Sequence, residues 1–161
     1  MEKRKLGNTD LYTAPVVLGG NVFGWTIDEK QSFAVLDEFT ALGFNAVDTA
    51  DVYSRWVRGN EGGESETIIG KWMNERGNRD DILLISKAAY DMGEGKNISK
   101  DYILRQADAS LKRLQTDRID LYFTHLDDEV TPVEETLSAH EELIKAGKVR
   151  WIGASNLSPE R

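Results

Sequence analysis

Apolar positions along the chain switch repeatedly between two spacings. Short continuous apolar runs, of which "DILLISK" from Asp81 is the clearest, are too apolar to face water on either side and read as buried strands. Between them lie longer stretches in which apolar residues recur every three or four positions, the period of a helix with one buried face. Thr26 to Gly43 is the first: Asp28 can cap it with Gln31 three residues on, Val35, Leu36, Phe39 and Leu42 share a face, and Gly43 stops it. "FNAVDTA" from Phe44 is then a strand, and Glu64 to Arg76 a helix with Ile68, Ile69, Trp72 and Met73 inward and Gly77 as terminator.

The alternation continues past "DILLISK". Ser99 is placed to cap a helix carrying Ile103, Leu104, Ala107, Leu111 and Leu114, "IDLYFTH" from Ile119 is the next strand, and Thr131-Pro132-Val133-Glu134 offers a capping box with proline at the first helical position. Gly147 closes that helix and "VRWIGAS" is a fifth strand. Strand and helix in alternation, without a hairpin signal after the first segment, predict parallel strands joined by crossovers, so the fold class is α/β. Ser158-Pro159-Glu160 then starts a further helix that Arg161 cuts short. About four and a half βα units against the roughly 250 residues of a complete (β/α)8 TIM barrel predict its N-terminal half, one partial domain over 1–161 truncated at the start of the fifth helix. The alternative is an open flavodoxin-like sheet.

Composition narrows the partners. With 20 basic and 28 acidic residues the chain would repel a nucleic-acid backbone. The absence of cysteine removes disulfides and thiolate chemistry, two histidines make a histidine-only metal site improbable, and we expect no metal. The polar start "MEKRKLGNTD" lacks the apolar stretch of a signal peptide, and no apolar run approaches the roughly 18 residues of a membrane span, so a cytoplasmic protein with no membrane partner is the expectation.

Polar residues stand where the apolar runs give out. Successive strands end in Asp48, Lys87, His125 and Ser155-Asn156. In parallel α/β sheets ligands bind at the carboxyl ends of the strands, so four strands deliver polar groups to one rim. Taken singly each has a plainer reading, as a turn cap, a solvated charge or a structural histidine. Together they are harder to dismiss, because an aspartate and a lysine that both lose solvation compensate when paired. His140, in a mid-helix run of glutamates, reads as surface or helix packing.

Tyr53, five residues beyond Asp48, can reach Lys87 if its loop folds over the rim. A phenol with a pKa of about 10 is a weak acid at neutral pH, and a nearby ammonium should lower it. Such a set, with Asp48 holding the lysine and His125 orienting the substrate, suits protonation of a carbonyl oxygen. The hydride must come from a bound cofactor, yet no G-x-G-x-x-G opens a helix, and "GNEGGESE" from Gly59 reads as a flexible loop.

The motifs in this order resemble the N-terminal half of the aldo-keto reductases: "RKLGNTDLYTAPVVLGG" for their opening β-hairpin, "NAVDTADVY" for their Asp and Tyr, "ISK" for their Lys, "DLYFTH" for their His and "GKVRWIGASN" for their fifth strand. The resemblance implies an NADPH-dependent (NADP) oxidoreductase for aldehydes and ketones, with a small carbonyl substrate. Tyr53 becomes the general acid, Lys87 its tuner, Asp48 the partner of Lys87 and His125 the substrate-positioning group. Ser155 and Asn156 would hold the nicotinamide carboxamide, and Asn21 and Val22 would lie near the cofactor. The long loop after Tyr53 is similar to that of the aryl-alcohol-dehydrogenase-like and potassium-channel β-subunit-like branch, which puts Trp56 at the substrate pocket. That branch also brings the alternative of a regulatory, non-catalytic cofactor-binding module, and the family's phosphate-binding loops fall in its second half. A Schiff base on Lys87 is a third reading, which Asp48 opposes. Open edges on a half barrel predict self-association or pairing with a C-terminal half.

Overall fold

A computed structural model describes residues 2–161; Met1, the first residue of the expected domain, lies outside it. Two short strands, β1 (Arg4–Lys5) and β2 (Tyr12–Thr13), pair antiparallel as a hairpin. The alternating remainder follows as β3 (Val17–Gly19), α1 (Glu29–Ala41), β4 (Ala46–Asp48), α2 (Glu64–Arg76), β5 (Leu83–Ala88), α3 (Lys100–Leu114), β6 (Ile119–Thr124), α4 (Val133–Lys145) and β7 (Val149–Ala154). The five later strands form one parallel sheet in the order β3-β4-β5-β6-β7. Because spatial order equals chain order, there is no reversal of the kind that defines a flavodoxin-like sheet, and the architecture is that of a partial TIM barrel.

The sheet separates two apolar clusters. The larger packs Val47, Leu84, Ala88 and Tyr122 from the strands against Leu36, Phe39, Ile69, Trp72, Ile103 and Leu143 from the helices. The smaller lies on the concave face, where Leu11 of the hairpin meets Ala46, Leu83 and Ile85, with Phe123 and Trp151 alongside. Since Ala46 and Leu83 begin their strands, the hairpin covers the amino-terminal end of the barrel and leaves the carboxyl end open. Asn45 ties it down, accepting from the Ala14 amide at 3.0 Å and donating to the Tyr12 carbonyl at 3.0 Å. At 140 residues' separation, Asp10 receives Arg150 at 2.9 Å, and it takes the Trp151 indole N–H at 2.7 Å.

Local details differ from the sequence reading in instructive ways. The Asp28–Gln31 capping box is present, with reciprocal bonds of 2.8 and 3.1 Å. The buried stripe of α1 is Ser32, Leu36 and Phe39, though, while Val35 and Leu42 face outward. Ser99 occupies the N-cap of α3 without a side-chain cap bond; the Lys100 amide is taken instead by the Glu135 carboxylate of α4 at 2.9 Å. Pro132 stands at the N-cap of α4 rather than inside it, so the expected box does not form, and Asp128 receives the Thr131 amide and hydroxyl. The first exception arises because α3 and α4 pack side by side, so that a carboxylate of α4 reaches an amide that the local sequence leaves free; at α4 the carboxylate is a local one, three residues before Thr131.

His140 is not on the surface. Thr136, Ala139, His140 and Leu143 form the buried face of α4, and His140 Nε2 lies 2.8 Å from the Thr124 hydroxyl of β6. Between α2 and α3 the approach is closer still: a Cβ on Gly70 would stand 2.3 Å from the Arg113 carbonyl oxygen, so only glycine fits that crossing. No helix among the described residues is long and apolar enough to cross a membrane.

Candidate active site

Strand geometry brings the rim residues together. Asp48 closes β4 in register with Ile85 and Lys87 comes two residues later in β5, so both side chains point into the concave face at the carboxyl end. His125 follows β6 directly, its amide donating to the Ala88 carbonyl at 2.8 Å. Ser155 and Asn156 follow β7, held by the Ser155 amide on the Thr124 carbonyl at 2.9 Å. Tyr53 arrives from the β4–α2 loop, which folds back over the rim.

Lys87 is the centre of the arrangement. Its ammonium donates to Asp48 Oδ2 at 2.6 Å, to the Thr49 carbonyl at 2.9 Å and to the Tyr53 hydroxyl at 2.9 Å. An ammonium has three protons to donate, and all three are committed. That geometry fits a charged lysine and leaves no lone pair for a Schiff base. The Tyr53 hydroxyl has a longer contact of 3.3 Å to Asp48 Oδ2.

Burial, more than charge, governs the two proton-bearing groups. Loss of solvation pushes the Tyr53 phenol above its ordinary 10.0, and the hydrogen bond and charge of Lys87 only partly offset this, with Asp48 adding to the rise. Lys87 does lower this pKa, as the sequence reading has it, but the net shift is upward because the tyrosine is half-buried and the aspartate answers the lysine. His125 is pushed down from 6.5 to about 4, by burial first and the Lys87 charge second. It is therefore neutral at pH 7 and can donate one ring N–H without carrying charge. Its ring meets Tyr90 edge-on at 4.7 Å, and Nδ1 is buried without a partner among the described residues.

The loop that carries Tyr53 is held from behind by residues that sequence reasoning passed over. Ser54, in the left-handed region at φ 72°, is buried and donates to the Phe23 carbonyl at 2.7 Å. Asn60 bonds the carbonyls of Gly24 and Ser54 at 3.1 and 2.9 Å. Ser65 receives the Thr49 hydroxyl at 2.8 Å and donates to the Gly20 carbonyl at 2.7 Å. Small polar residues are common in loops, and nothing in their spacing marks these as supports. The loop "GNEGGESE" is likewise more ordered than the expected flexible segment, since Glu64 folds back to accept the Glu61 and Gly62 amides.

The remaining candidates divide. Asn156, itself at φ 56°, donates to the His125 carbonyl at 2.9 Å and to Ser155 Oγ at 3.0 Å, which couples the fifth strand's end to the histidine. Asn21 is exposed in the loop after β3, whereas Val22 packs toward the larger core, its carbonyl accepting the Trp25 and Thr26 amides. Trp56 is half-exposed, 6.2 Å from the Tyr53 ring and edge-on to Trp25 at 5.5 Å, so one indole borders the tyrosine and a second backs it.

The chain was compared with known proteins. Residues 15–161 match the model of the aldo/keto reductase family. An uncharacterized 11.2 kDa protein of Pseudescherichia vulneris is 56% identical over 93 residues, 57% of this chain and 90% of its own. The aldo-keto reductase YhdN of Bacillus subtilis is 40% identical over 147 residues, covering 89% of this chain and 42% of the relative. The solved structure of the aldo-keto reductase AKR11C1 from Bacillus halodurans, in its holo form, superposes with a TM-score of 0.85 at 38% identity, over 99% of this chain and 51% of that one. The chain thus spans about half the length of these Bacillus relatives.

Proposed function

From the premise that the chain belongs to the aldo/keto reductase family, we propose that this rim is the proton-donating side of an NADPH-dependent reduction of aldehydes or ketones. The observation that carries the reading is the Lys87 ammonium, which binds Asp48, the Thr49 carbonyl and the Tyr53 hydroxyl at once. Ser155 and Asn156, polar and beside His125, fit the carboxamide of a nicotinamide, and Asn21 stands at the first-strand loop on the same rim. When bound, NADPH supplies the hydride that makes the new C–H bond at the carbonyl carbon.

The chain's own residues handle the proton. The neutral His125 imidazole donates to the carbonyl oxygen and fixes its direction, so that oxygen faces Tyr53. As the carbonyl π pair moves onto oxygen, the Tyr53 O–H bond breaks and its proton forms the alcohol. The phenolate left behind already has an ammonium at hydrogen-bond distance, and it recovers a proton from water. The raised phenol pKa keeps Tyr53 protonated until that demand arises. Asp48 fixes the ammonium in place and prevents it from turning to solvent. The Trp56 indole beside Tyr53, backed by Trp25, favours a flat, aromatic carbonyl substrate.

The experiment is aldehyde-dependent NADPH oxidation by the purified chain beside Tyr53→Phe, with cofactor binding followed in parallel by NADPH fluorescence. Turnover that vanishes in Tyr53→Phe while binding persists is the expected result. Turnover that survives in the variant would remove Tyr53 from the mechanism, and a chain that leaves NADPH fluorescence unchanged at every concentration would show that these residues do not hold the cofactor by themselves.

A further inference from the structure

Asp51 lies between Asp48 and Tyr53 in the chain, and no step above uses it. It is fully buried, and both carboxyl oxygens lack a hydrogen-bond partner among the described residues. Its backbone is firmly held: the Asp51 amide donates to the Lys87 carbonyl at 3.1 Å, next to the Thr49 amide on the Ile85 carbonyl at 2.9 Å. With the Lys87–Thr49 bond, these stitch the segment from Asp48 to Tyr53 onto β5.

The charged and titratable groups that face Asp51 come from every element around it. Glu66 of α2, Arg113 of α3 and Lys87 of β5 act on its carboxyl, and its charge would act on the phenols of Tyr102 in α3 and Tyr122 in β6. Neither cation serves it. Arg113 Nε is bound to Glu66 Oε2 at 2.6 Å, Glu66 Oε1 takes the Ser86 hydroxyl at 2.6 Å, and the Lys87 protons are committed. A second carboxylate here would be an unpaired buried anion beside the fully buried Glu66, which costs far more than a buried neutral acid.

We propose that Asp51 is a positioning residue: as a neutral acid it fills the buried space under the Asp48–Tyr53 turn, beside the Glu66–Arg113 pair, and so keeps Tyr53 seated on Lys87. Burial first, then the Glu66 charge, pushes its carboxyl up to about 8, and the pull of the Arg113 and Lys87 charges is outweighed. At neutral pH the proton is held. In more alkaline solution an anion appears inside the packing and the turn loosens. The proposal rests on the reading of Tyr53 and Lys87 as a working pair, but its test reads the Asp51 proton and needs no turnover, so either idea can fail alone.

The test compares the chain with Asp51→Asn, which copies the shape of the neutral acid, and Asp51→Ala, which does not. The ratio of the unfolding constants of the wild-type chain and Asp51→Asn, from urea curves at fixed protein concentration, is expected to rise about tenfold per pH unit between about 4 and about 8 and then level off. Over the alkaline end of that range, the ultraviolet signal of Tyr53, isolated by subtracting Tyr53→Phe versions, changes in wild type. In Asp51→Asn it stays constant, and in Asp51→Ala it is disturbed at every pH. A ratio that does not change with pH overturns the proposal, as does a Tyr53 signal identical in all three proteins. Should the variants fail to fold, infrared spectroscopy of the wild-type chain decides. A protonated-carboxyl band that persists at neutral pH and disappears near pH 8 supports the assignment, and absence of that band at neutral pH overturns it.

Discussion

Replacing His140 by Gln gives a direct measure of how strongly the helix layer is packed behind the site. His140 is 2% exposed, with Nε2 on the Thr124 hydroxyl and Nδ1 without a partner, and burial pushes its pKa from 6.5 to about 4. In the native protein the ring is neutral, while in the unfolded chain it takes up a proton near pH 6.5. Its depressed native pKa therefore adds stability that is fully present above about pH 6.5 and is lost as pH falls toward 4. The gap of about 2.5 pH units, at about 1.4 kcal/mol for each, amounts to roughly 3 kcal/mol lost between those values. That is a large share of the 5–15 kcal/mol typical of a domain, so acid sensitivity in this range should be pronounced. Glutamine can still bond Thr124 but does not titrate. Urea unfolding at fixed protein concentration should show the stability difference between pH 7 and pH 4 shrinking by about 3 kcal/mol in His140→Gln. The reasoning fails if the variant and the parent lose stability in parallel, or if the His140 ring proton resonance in NMR titrates near its ordinary pKa.

Two other substitutions test the site and its scaffold. Lys87→Met removes both influences that hold the Tyr53 phenol down, so its pKa should climb further above 10.0, read by alkaline ultraviolet titration against Tyr53→Phe; an unchanged or lower value would mean Lys87 does not act on the phenol. Gly70→Ala should lower stability even though alanine is about 1 kcal/mol better than glycine inside a helix, because the new Cβ meets backbone atoms of α3 and overpacking costs about 1–3 kcal/mol; a variant as stable as the parent in urea would show that α2 and α3 can separate freely.

The parallel sheet was legible because its signals are redundant: the switch of apolar spacing, the terminating glycines and the absence of hairpin turns all point one way. Asp48, Lys87 and His125 were legible for a related reason, since each is the polar residue at which a buried run ends. Where two opposing forces act on one group, sequence spacing says little. Tyr53 has both a cation and a buried environment, and only the folded loop shows that burial wins. Asp51 looks like any turn aspartate until its oxygens are found without donors. The glutamates around His140 leave it open between surface and helix packing; the Thr136–Ala139–His140–Leu143 spacing, which carries a face, decides for packing. The cap of α3 was beyond reach because Glu135 serves a helix other than its own.

The contact of Asp10 with Arg150 and Trp151 has a consequence for how the chain comes together. The strongest packing elsewhere joins elements that are neighbours in the chain, strand to next strand and helix to next helix. A growing polypeptide can bury its core in the order in which it is synthesised, each unit docking on the one just made. The hairpin, made first, must wait for β7 before its aspartate finds arginine and indole. Closing a loop that long costs only about 1 kcal/mol more than closing one a quarter its length, since each doubling adds about 0.6 kcal/mol. The latch is thus cheap in entropy but late in time, and it fastens the first-made hairpin to the last-made strand once everything between them is in place.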